Sequence, residues 1–468
     1  MFGAASAGCM ANGAAARLYR RRRPERTVLY GLVQQHLETW LARTRERDPD
    51  GFPVTAYVER ELRQYLSCGI LAHGFARARC GGCGHDFLVA FSCKGRGICP
   101  SCTTRRMAEL AAHLVDHAFP RVPVRQWVIT FPKRLRYFLH RDPALLNRLS
   151  PIVLRAIESG LRRSCPGAPA TARFGAVSFP QRFGSALNTH LHLHVCITDG
   201  VFSETDGVVH FREAQLSDQD FQAVQRAIRR RVLRAAVRYG ALTREAAQDL
   251  SHWAHGGGFS LHAGVLIDAE DRPALERLLR YCARPAFASE RLEVVGQGAE
   301  RDCEDERIRY TLPKPRPDGT TSLTLTPLEL FDRLTALIPP PRRHRHHYYG
   351  VFAPHSPLRP AVTAYAWVRL LARIYEVLPL ICPRCGSEMP LIAFITEPRA
   401  IATILTHLGE PISPPPLAPR ARAPPELELD CSEPAALGSE CAARGAKFRV
   451  RSERSHVAQR ALRTCRQA

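Results

Sequence analysis

Long hydrophobic runs are missing from this 468-residue sequence, and acidic residues are scarce beside basic ones. No stretch approaches the ~18 uninterrupted apolar residues of a transmembrane helix, which excludes a membrane-spanning protein of that kind. The N-terminal segment places small residues before its arginine cluster, the reverse of the charge order of a secretory signal. These absences predict a cytoplasmic protein with no membrane partner.

Basic residues are abundant. Lysine and arginine total 66 against 44 acidic residues, for a net charge of +22 at pH 7. The planar fork of arginine fits phosphate oxygens, and such an excess favours a polyanionic partner. We therefore expect a nucleic-acid partner and a nucleoid-associated location, although an arginine-rich proteome would also raise the count.

Sixteen cysteines are present, and several occur as CxxC pairs in a sequence without secretory features. This pattern favours metal binding over disulfides. Cys80 and Cys83 are separated by 15 residues from Cys99 and Cys102, a spacing typical of a four-thiolate structural Zn²⁺ site. The sequence predicts one such site from these four residues, the alternative being reduced free thiols.

Other metal-ligating residues lie near this pair of motifs. Cys68, Cys93, His73 and His85 are spare candidates for the same block, since zinc takes four ligands. A further CxxC motif, Cys382–Cys385, has no second CxxC nearby, so its completion by ligands from elsewhere in the chain stays open.

Changes in composition and periodicity divide the chain into five expected regions. They are a disordered basic tail at 1–24, a helical lead-in and zinc-binding domain at 25–119, an α+β domain at 120–337, a small C-terminal unit with the last CxxC at 338–410, and a disordered tail at 411–468. The strands of the α+β domain come in hairpin-like groups, which predicts an antiparallel sheet flanked by helices.

Three histidines alternate with apolar residues at His190, His192 and His194. Alternate residues of a strand share a face, so neighbouring imidazoles of this segment would lie side by side and could bind a divalent metal. Histidines on the solvent face of a half-buried strand are the alternative interpretation.

A tyrosine lies on a basic helix that the acidic cap Asp271 and the following proline predict to begin near residue 272. Arg277 and Arg284 fall one turn to either side of Tyr281. Flanking cations would assist a phenol acting as a nucleophile. A half-buried tyrosine on a packed helix is the alternative.

The motifs occur together in one order, and this combination resembles the transposases of the insertion sequence 91 family and the related common-region transposases, which are rolling-circle enzymes of the HUH endonuclease superfamily. The resemblance spans about Cys68 to Pro411. The matching segments are Phe91–Cys102 with Arg105–Met107, Gln181–Asn188 leading to His192–His194, Arg280–Pro285, and Tyr348–Pro354.

The resemblance implies an HUH-type catalytic domain at 120–337. His192 and His194 would be the pair that binds catalytic Mg²⁺ or Mn²⁺, with His190 outside it, and Tyr281 would attack DNA. Many family members carry a second tyrosine four residues upstream, where this chain has Arg277, so a single-tyrosine enzyme is expected. The superfamily's third metal ligand is a Gln, Glu or His, often near the tyrosine helix. The sequence leaves its position open, with His262 as one candidate.

The implied function is nicking of single-stranded DNA at transposon ends, with a 5′-phosphotyrosine intermediate and transfer to target DNA. Residues expected to contact DNA are Arg277, Arg284, Arg96, Arg105 and Arg106. The cluster His344–Tyr349 is expected to be a basic DNA-contacting loop, with a catalytic role as the alternative. A relaxase or replication-initiator nickase, or a non-catalytic zinc-dependent nucleic-acid-binding protein, are the alternative functions.

Overall fold

The computed structural model describes residues 22–47, 55–295, 306–363, 382, 384–387 and 389–419. Most of the predicted tails, at 1–24 and 411–468, lies outside these ranges. Within them, no helix is long and apolar enough to cross a membrane.

Helices and antiparallel strands are both present throughout the described chain. The helices are α1 (Val28–Arg47), α2 (Ala56–Ser67), α3 (Pro100–His117), α4 (Lys133–Arg141), α5 (Pro143–Arg163), α6 (Asp218–Arg238), α7 (Arg244–His252), α8 (Arg272–Ala283), α9 (Pro327–Ala336), α10 (Arg359–Thr363) and α11 (Pro398–His407). The strands are β1 (Phe75–Arg79), β2 (Asp86–Ala90), β3 (Val124–Thr130), β4 (Gly175–Phe183), β5 (Thr189–Thr198), β6 (Gly200–Thr205), β7 (Val208–Glu213), β8 (Ser260–Ile267), β9 (Leu292–Val295), β10 (Arg307–Thr311), β11 (Ser322–Leu325), β12 (His347–Gly350) and β13 (Leu391–Ile395).

A five-stranded sheet with the order β12-β4-β5-β3-β8 forms the centre of the fold. Every neighbouring pair in it is antiparallel. The histidine strand β5 is its middle strand, and the register places His192 opposite Gln181 on β4 and His194 opposite Phe179. The predicted antiparallel sheet flanked by helices is confirmed.

Alternation along β5 assigns its side chains to the two faces of the sheet. Leu193, Val195 and Ile197 enter a core with α5 and α6 on one face. Cys196 enters a second core on the opposite face, against residues of α3 and α8. Since side chains two positions apart share a face, the even-numbered histidines lie on the face that α8 covers.

The predicted start of the tyrosine helix is confirmed, and a second helix runs through a proline. Helix α8 begins after Asp271, whose side chain accepts a hydrogen bond from the backbone amide of Ala274. Helix α5 continues through Pro151, although a proline inside a helix removes one backbone hydrogen bond. Its buried side chains on either side, Leu149 and Val153, pack into the core and hold the helix together across the proline.

The structure places region borders differently from the predicted borders at 337 and 410. Strand β12 belongs to the central sheet through its pairing with β4, so the sheet extends past residue 337. Strands β9 to β11 and helix α9 share a core with α1 and α2 instead. The C-terminal unit predicted at 338–410 is therefore not separate. Its first strand completes the central sheet, while β13 pairs with β1 near the N-terminus.

The predicted disorder from residue 411 does not hold for 411–419. The carbonyl of Pro416 accepts a hydrogen bond from the Gln34 side chain, and the amide of Ala418 donates to the Gln34 carbonyl at 3.1 Å. These contacts return the chain to α1.

A buried ion pair fixes the end of the histidine strand. Arg125 on β3 donates hydrogen bonds from Nε and Nη2 to the two carboxylate oxygens of Asp199, at 2.7 and 2.6 Å, and Asp199 is only 2% exposed.

We expect Asp199→Ala to destabilise the fold by about 3–5 kcal/mol, because a mostly buried guanidinium loses its partner. The urea midpoint measures this. Glu270→Ala, which removes an exposed ion pair with Arg121, is the matched control and should cost about 0–1 kcal/mol. Equal midpoint shifts in both variants would contradict the prediction.

Candidate active site and zinc centres

The imidazoles of His192 and His194 face each other on the α8 side of the central sheet. Their Nε2 atoms lie 3.0 Å apart. Two ring nitrogens that converge in this way can bind one divalent ion. The adjacency predicted from strand alternation is confirmed.

The other nitrogen of each ring has its own partner. His192 Nδ1 lies 3.1 Å from the carbonyl of His190 and donates to it. His194 Nδ1 lies 2.9 Å from the side-chain amide of Gln126. Both contacts fix the orientation of the rings, and the carbonyl contact leaves the Nε2 lone pair of His192 free for a metal. Nε2 of His194 is freed in the same way when the Gln126 amide turns its oxygen to Nδ1–H.

Burial keeps both rings neutral. Desolvation lowers the pKa of His192 to about 4 and that of His194 to about 3. A neutral imidazole has the lone pair that a metal ligand needs. The donor set therefore fits a divalent cation.

Tyr281 lies beside this pair. Its ring is 46% exposed, and the ring centroid is 5.5 Å from that of His194 in an edge-to-face arrangement. The guanidinium of Arg284 lies over the tyrosine ring at 4.6 Å and over Phe183 at 5.6 Å. A solvent-accessible phenol thus lies between a cation and the histidine pair. The flanking role predicted for Arg284 fits this geometry, whereas Arg277 is exposed on α8.

Gln181 is the residue that sequence reasoning missed. Its amide nitrogen donates to the carbonyl of Cys282 at 2.7 Å and approaches that of Tyr281 at 3.4 Å. Its Oε1 atom is buried and has no hydrogen-bond partner among the described residues. Gln181 lies directly opposite His192, so this oxygen is an unsatisfied acceptor on the histidine face. The sequence signal that could have identified Gln181 is its position as the first residue of the Gln181–Asn188 motif.

His262 and His190 lie outside this centre. His262 sits on β8, and Val128 of β3 lies between it and His194 in the register. Among the described residues, no group of three His, Cys, Asp or Glu ligands includes the histidine pair. His190 instead accepts a hydrogen bond from Arg136.

A cleft of about 1030 Å³ adjoins the site. Gln181 and Arg284 line it on the side of the histidine pair, and helix α3 lines it on the side of the first thiols. Its one acidic lining residue, Glu109, is paired with Arg105 at 2.7 Å. The arginines lining the cleft are Arg96, Arg106, Arg284, Arg342, Arg343 and Arg345. A strongly basic groove thus reaches the C-terminal end of the tyrosine helix, at Cys282, Ala283 and Arg284.

Only some predicted DNA-contacting residues face this groove. Arg96 and Arg106 line it, whereas Arg105 and Arg277 are not among its lining residues. The predicted basic loop at His344–Tyr349 is partly a strand, because β12 begins at His347 and pairs with β4. His344 and His346 still line the groove.

The thiols form two groups of four, and neither is the predicted one. The first comprises Cys68, Cys93, Cys99 and Cys102; the second comprises Cys80, Cys83, Cys382 and Cys385. In each group all sulfurs lie within 4.8 Å of one another. The prediction of one site from Cys80, Cys83, Cys99 and Cys102 is therefore wrong. The β1–β2 hairpin carries its CxxC turn away from α3, toward the C-terminal CxxC.

The first group sits where α2, β2 and α3 meet. Cys68 caps the end of α2, and Cys99 and Cys102 lie at the start of α3. The sulfur of Cys68 is 3.5 Å from Cys99 and 3.7 Å from Cys102. The carboxylate of Glu61 accepts the amides of Arg96 and Gly97, both at 2.6 Å, and holds the loop that precedes Cys99. Four converging thiols fit tetrahedral zinc.

Removing one ligand of the first group should release its zinc. We expect Cys99→Ser to lose about one Zn²⁺ per chain and to lower the thermal midpoint, because metal-binding free energy contributes to folding. Cys165→Ser, at a buried cysteine outside both groups, is the control that keeps its metal. Zinc analysis and thermal unfolding check both. Unchanged zinc content in the Cys99 variant would contradict the assignment.

Comparison with known families gives two matches. Residues 32–131 match the family described as "Transposase zinc-binding domain" of insertion sequence 91 type, and residues 175–359 match the family described as "Putative transposase". Together they cover well over half of the chain. No match is found among curated proteins or among solved structures. The first match contains the whole first thiol group, and the second contains His192, His194 and Tyr281. The chain therefore belongs to the insertion sequence 91 family of transposases.

Proposed function

We propose that this transposase is a single-tyrosine enzyme of the HUH type that nicks single-stranded DNA at the ends of its element. The observation that carries the proposal is the position of an exposed tyrosine beside two neutral, facing imidazoles, with its ring centroid 5.5 Å from that of His194. A packed structural tyrosine would not require such neighbours.

The chemistry is an exchange of one phosphodiester bond for another. The Tyr281 oxygen attacks phosphorus and loses its proton, the bond to the 3′ oxygen breaks, and that oxygen leaves as a 3′-hydroxyl. A 5′-phosphotyrosine links DNA to protein. A 3′-hydroxyl of the same or another strand later attacks this link, and the tyrosine regains its proton. No energy source or redox partner is needed.

The histidine pair would hold Mg²⁺ or Mn²⁺ through the two Nε2 atoms. When bound, such an ion polarises a phosphate oxygen and so makes the phosphorus more electrophilic. The chain's own groups orient the rings through the His190 carbonyl and Gln126. Arg284 places a positive charge over the tyrosine ring, where it also attracts phosphate.

Gln181 supplies the third, oxygen ligand in this proposal. Its nitrogen is identified by the carbonyl it donates to, which leaves Oε1 as the free atom. Hard divalent ions prefer oxygen ligands, and a buried acceptor without a partner is costly unless something satisfies it.

We expect Gln181→Leu to weaken Mn²⁺ binding by roughly 10–100-fold or more, as loss of a metal-supporting group does. Calorimetric titration of the folded protein with Mn²⁺ measures this. Gln126→Leu, which alters a partner of His194 while leaving Gln181 in place, is the comparison and should have the smaller effect. Unchanged Mn²⁺ affinity in the Gln181 variant would remove this residue from the metal site.

The basic groove is the proposed path of the DNA strand. It joins the zinc-binding helix α3, through Arg106, to the tyrosine helix, through Arg284. Arg96 donates to the carbonyl of Arg343, and Arg345 donates to the carbonyl of Arg96 at 2.9 Å. These hydrogen bonds connect the loop before α3 to the basic segment before β12. Arginines along the groove would contact DNA phosphates, and such contacts position nucleic acid without reading its sequence.

A relaxase or replication initiator would use the same nicking chemistry. The match to a transposase zinc-binding domain beside the groove favours transposition. A non-catalytic binding protein would not need the exposed tyrosine at the histidine pair.

The function is tested by incubating the full chain with labelled single-stranded DNA from both ends of its own element, in Mg²⁺ or Mn²⁺. We expect a denaturation-resistant protein–DNA adduct that is absent when EDTA is added. Duplex DNA of the same sequence is the matched substrate control. Cleavage without any adduct would overturn the tyrosine mechanism.

A further inference from the structure

The second thiol group joins two parts of the chain that are far apart in sequence. The sulfur of Cys80 lies 3.3 Å from that of Cys385, and Cys83 lies 3.4 Å from Cys382. The residues in these pairs are separated by 305 and 299 positions. The matched zinc-binding domain ends at residue 131, so it holds only half of this group.

The two CxxC turns have the same backbone construction. The amide of Gly84 donates to the carbonyl of Cys80 at 3.0 Å, and the amide of Gly386 donates to that of Cys382 at 2.9 Å. Both glycines have positive φ, 71° and 74°, which favours glycine at this position of a turn. Each turn presents two sulfurs on one side, and the two turns face each other.

The strands next to these turns pair as well. The first turn joins β1 to β2, the second precedes β13, and β1 pairs with both β2 and β13. The amide of Arg79 donates to the carbonyl of Pro390 at 3.2 Å, which continues the pairing up to the thiols. We call this three-stranded sheet with its two turns the split ribbon.

Apolar packing in the split ribbon is small. Among the described residues, the buried cluster at the thiol end consists of Ala78, Cys80, Cys382 and Met389. At the other end Leu71, Phe75 and Leu88 pack against Ile401 and Leu405 of α11. So small a core rarely holds a distant chain segment unaided, whereas a four-thiolate metal site can.

We propose that Cys80, Cys83, Cys382 and Cys385 bind a second structural zinc ion, which closes the split ribbon and makes β13 and α11 part of the zinc-binding domain. The site is independent of the nicking chemistry. Two of its cysteines, Cys83 and Cys385, are exposed, and zinc coordination would protect their sulfurs from modification. The complete zinc-binding unit therefore needs two segments of the chain, one with Cys80 and Cys83 and the other with Cys382 and Cys385.

Metal analysis of the purified full-length protein tests the proposal. We expect about two Zn²⁺ per chain in the parent and about one in Cys385→Ser. Cys93→Ser, which disrupts the first group, should also hold about one, and Cys165→Ser should keep two. A Cys385 variant with as much zinc as the parent would overturn the second site.

Two measurements keep the test decisive if a variant folds poorly. In the parent, Cys83 and Cys385 should resist alkylation until a chelator removes zinc. Rapid alkylation of the zinc-loaded protein, or a disulfide between Cys80 and Cys385, would overturn the proposal.

The second measurement is amide exchange. In Cys385→Ser, exchange should accelerate in β13 but not in the central strands β3 and β5. Unchanged protection of β13 would show that zinc does not hold the ribbon closed.

Discussion

Replacing Tyr281 with phenylalanine is expected to abolish the covalent protein–DNA adduct while leaving affinity for single-stranded DNA nearly unchanged. Only the nucleophilic oxygen is lost. The ring that packs beside His194 and beneath Arg284 remains, as do the arginines of the groove. Gel analysis of the adduct and a binding titration at fixed salt measure the two effects separately.

Tyr239→Phe is the matched control for this variant. Tyr239 is also partly exposed and also lies under an arginine, Arg148 at 5.0 Å. It follows α6, however, which packs on the face of the central sheet opposite the histidine pair. Its adduct yield should equal that of the parent. Adduct formation retained by the Tyr281 variant would show that another nucleophile is used.

Replacing His194 with alanine should cause a comparably large loss of metal-dependent nicking. His194 supplies one of two facing Nε2 atoms, and metal polarisation of a phosphate is worth several kcal/mol, which corresponds to about 10³-fold in rate. His192→Ala should behave in the same way. Single-turnover nicking rates across a Mg²⁺ titration measure the loss.

His190→Ala is the internal control on the same strand and face. Its side chain contacts Arg136, while the contact that orients His192 comes from the His190 backbone carbonyl, which alanine retains. We expect a mild change in rate. If His190 were the most damaging position of the three, the assignment of the metal pair would be wrong by two residues.

Local patterns predicted the parts of this site that lie on single elements. The alternation of histidines with Leu193 and Val195 is sufficient to place His192 and His194 on one face, because strand geometry has a period of two. The acidic cap Asp271 with the following proline predicts where the tyrosine helix begins. Both predictions depend only on neighbouring residues.

Contacts between distant segments could not be predicted in this way. Grouping the cysteines by nearness in sequence failed, because the entropy cost of closing a loop grows only slowly with its length and a ligand some 300 residues away is admissible. Gln181 was missed for a related reason. Its position opposite His192 depends on the register between β4 and β5, which includes an irregularity beside Gln181.

The prolines that follow residue 337 do not end a domain. They are instead followed by the strand that completes the edge of the central sheet. Composition identifies a break in local structure, but it does not show that the chain leaves the sheet.

Mapping the site of DNA attachment tests the central claim most directly. The adduct formed with single-stranded element-end DNA is digested with nuclease and protease, and the peptide that retains a nucleotide is sequenced by mass spectrometry. The proposed mechanism predicts a 5′-phosphate ester on Tyr281. Attachment at Tyr348, Tyr349 or any other residue, or a linkage through a 3′-phosphate, would contradict it.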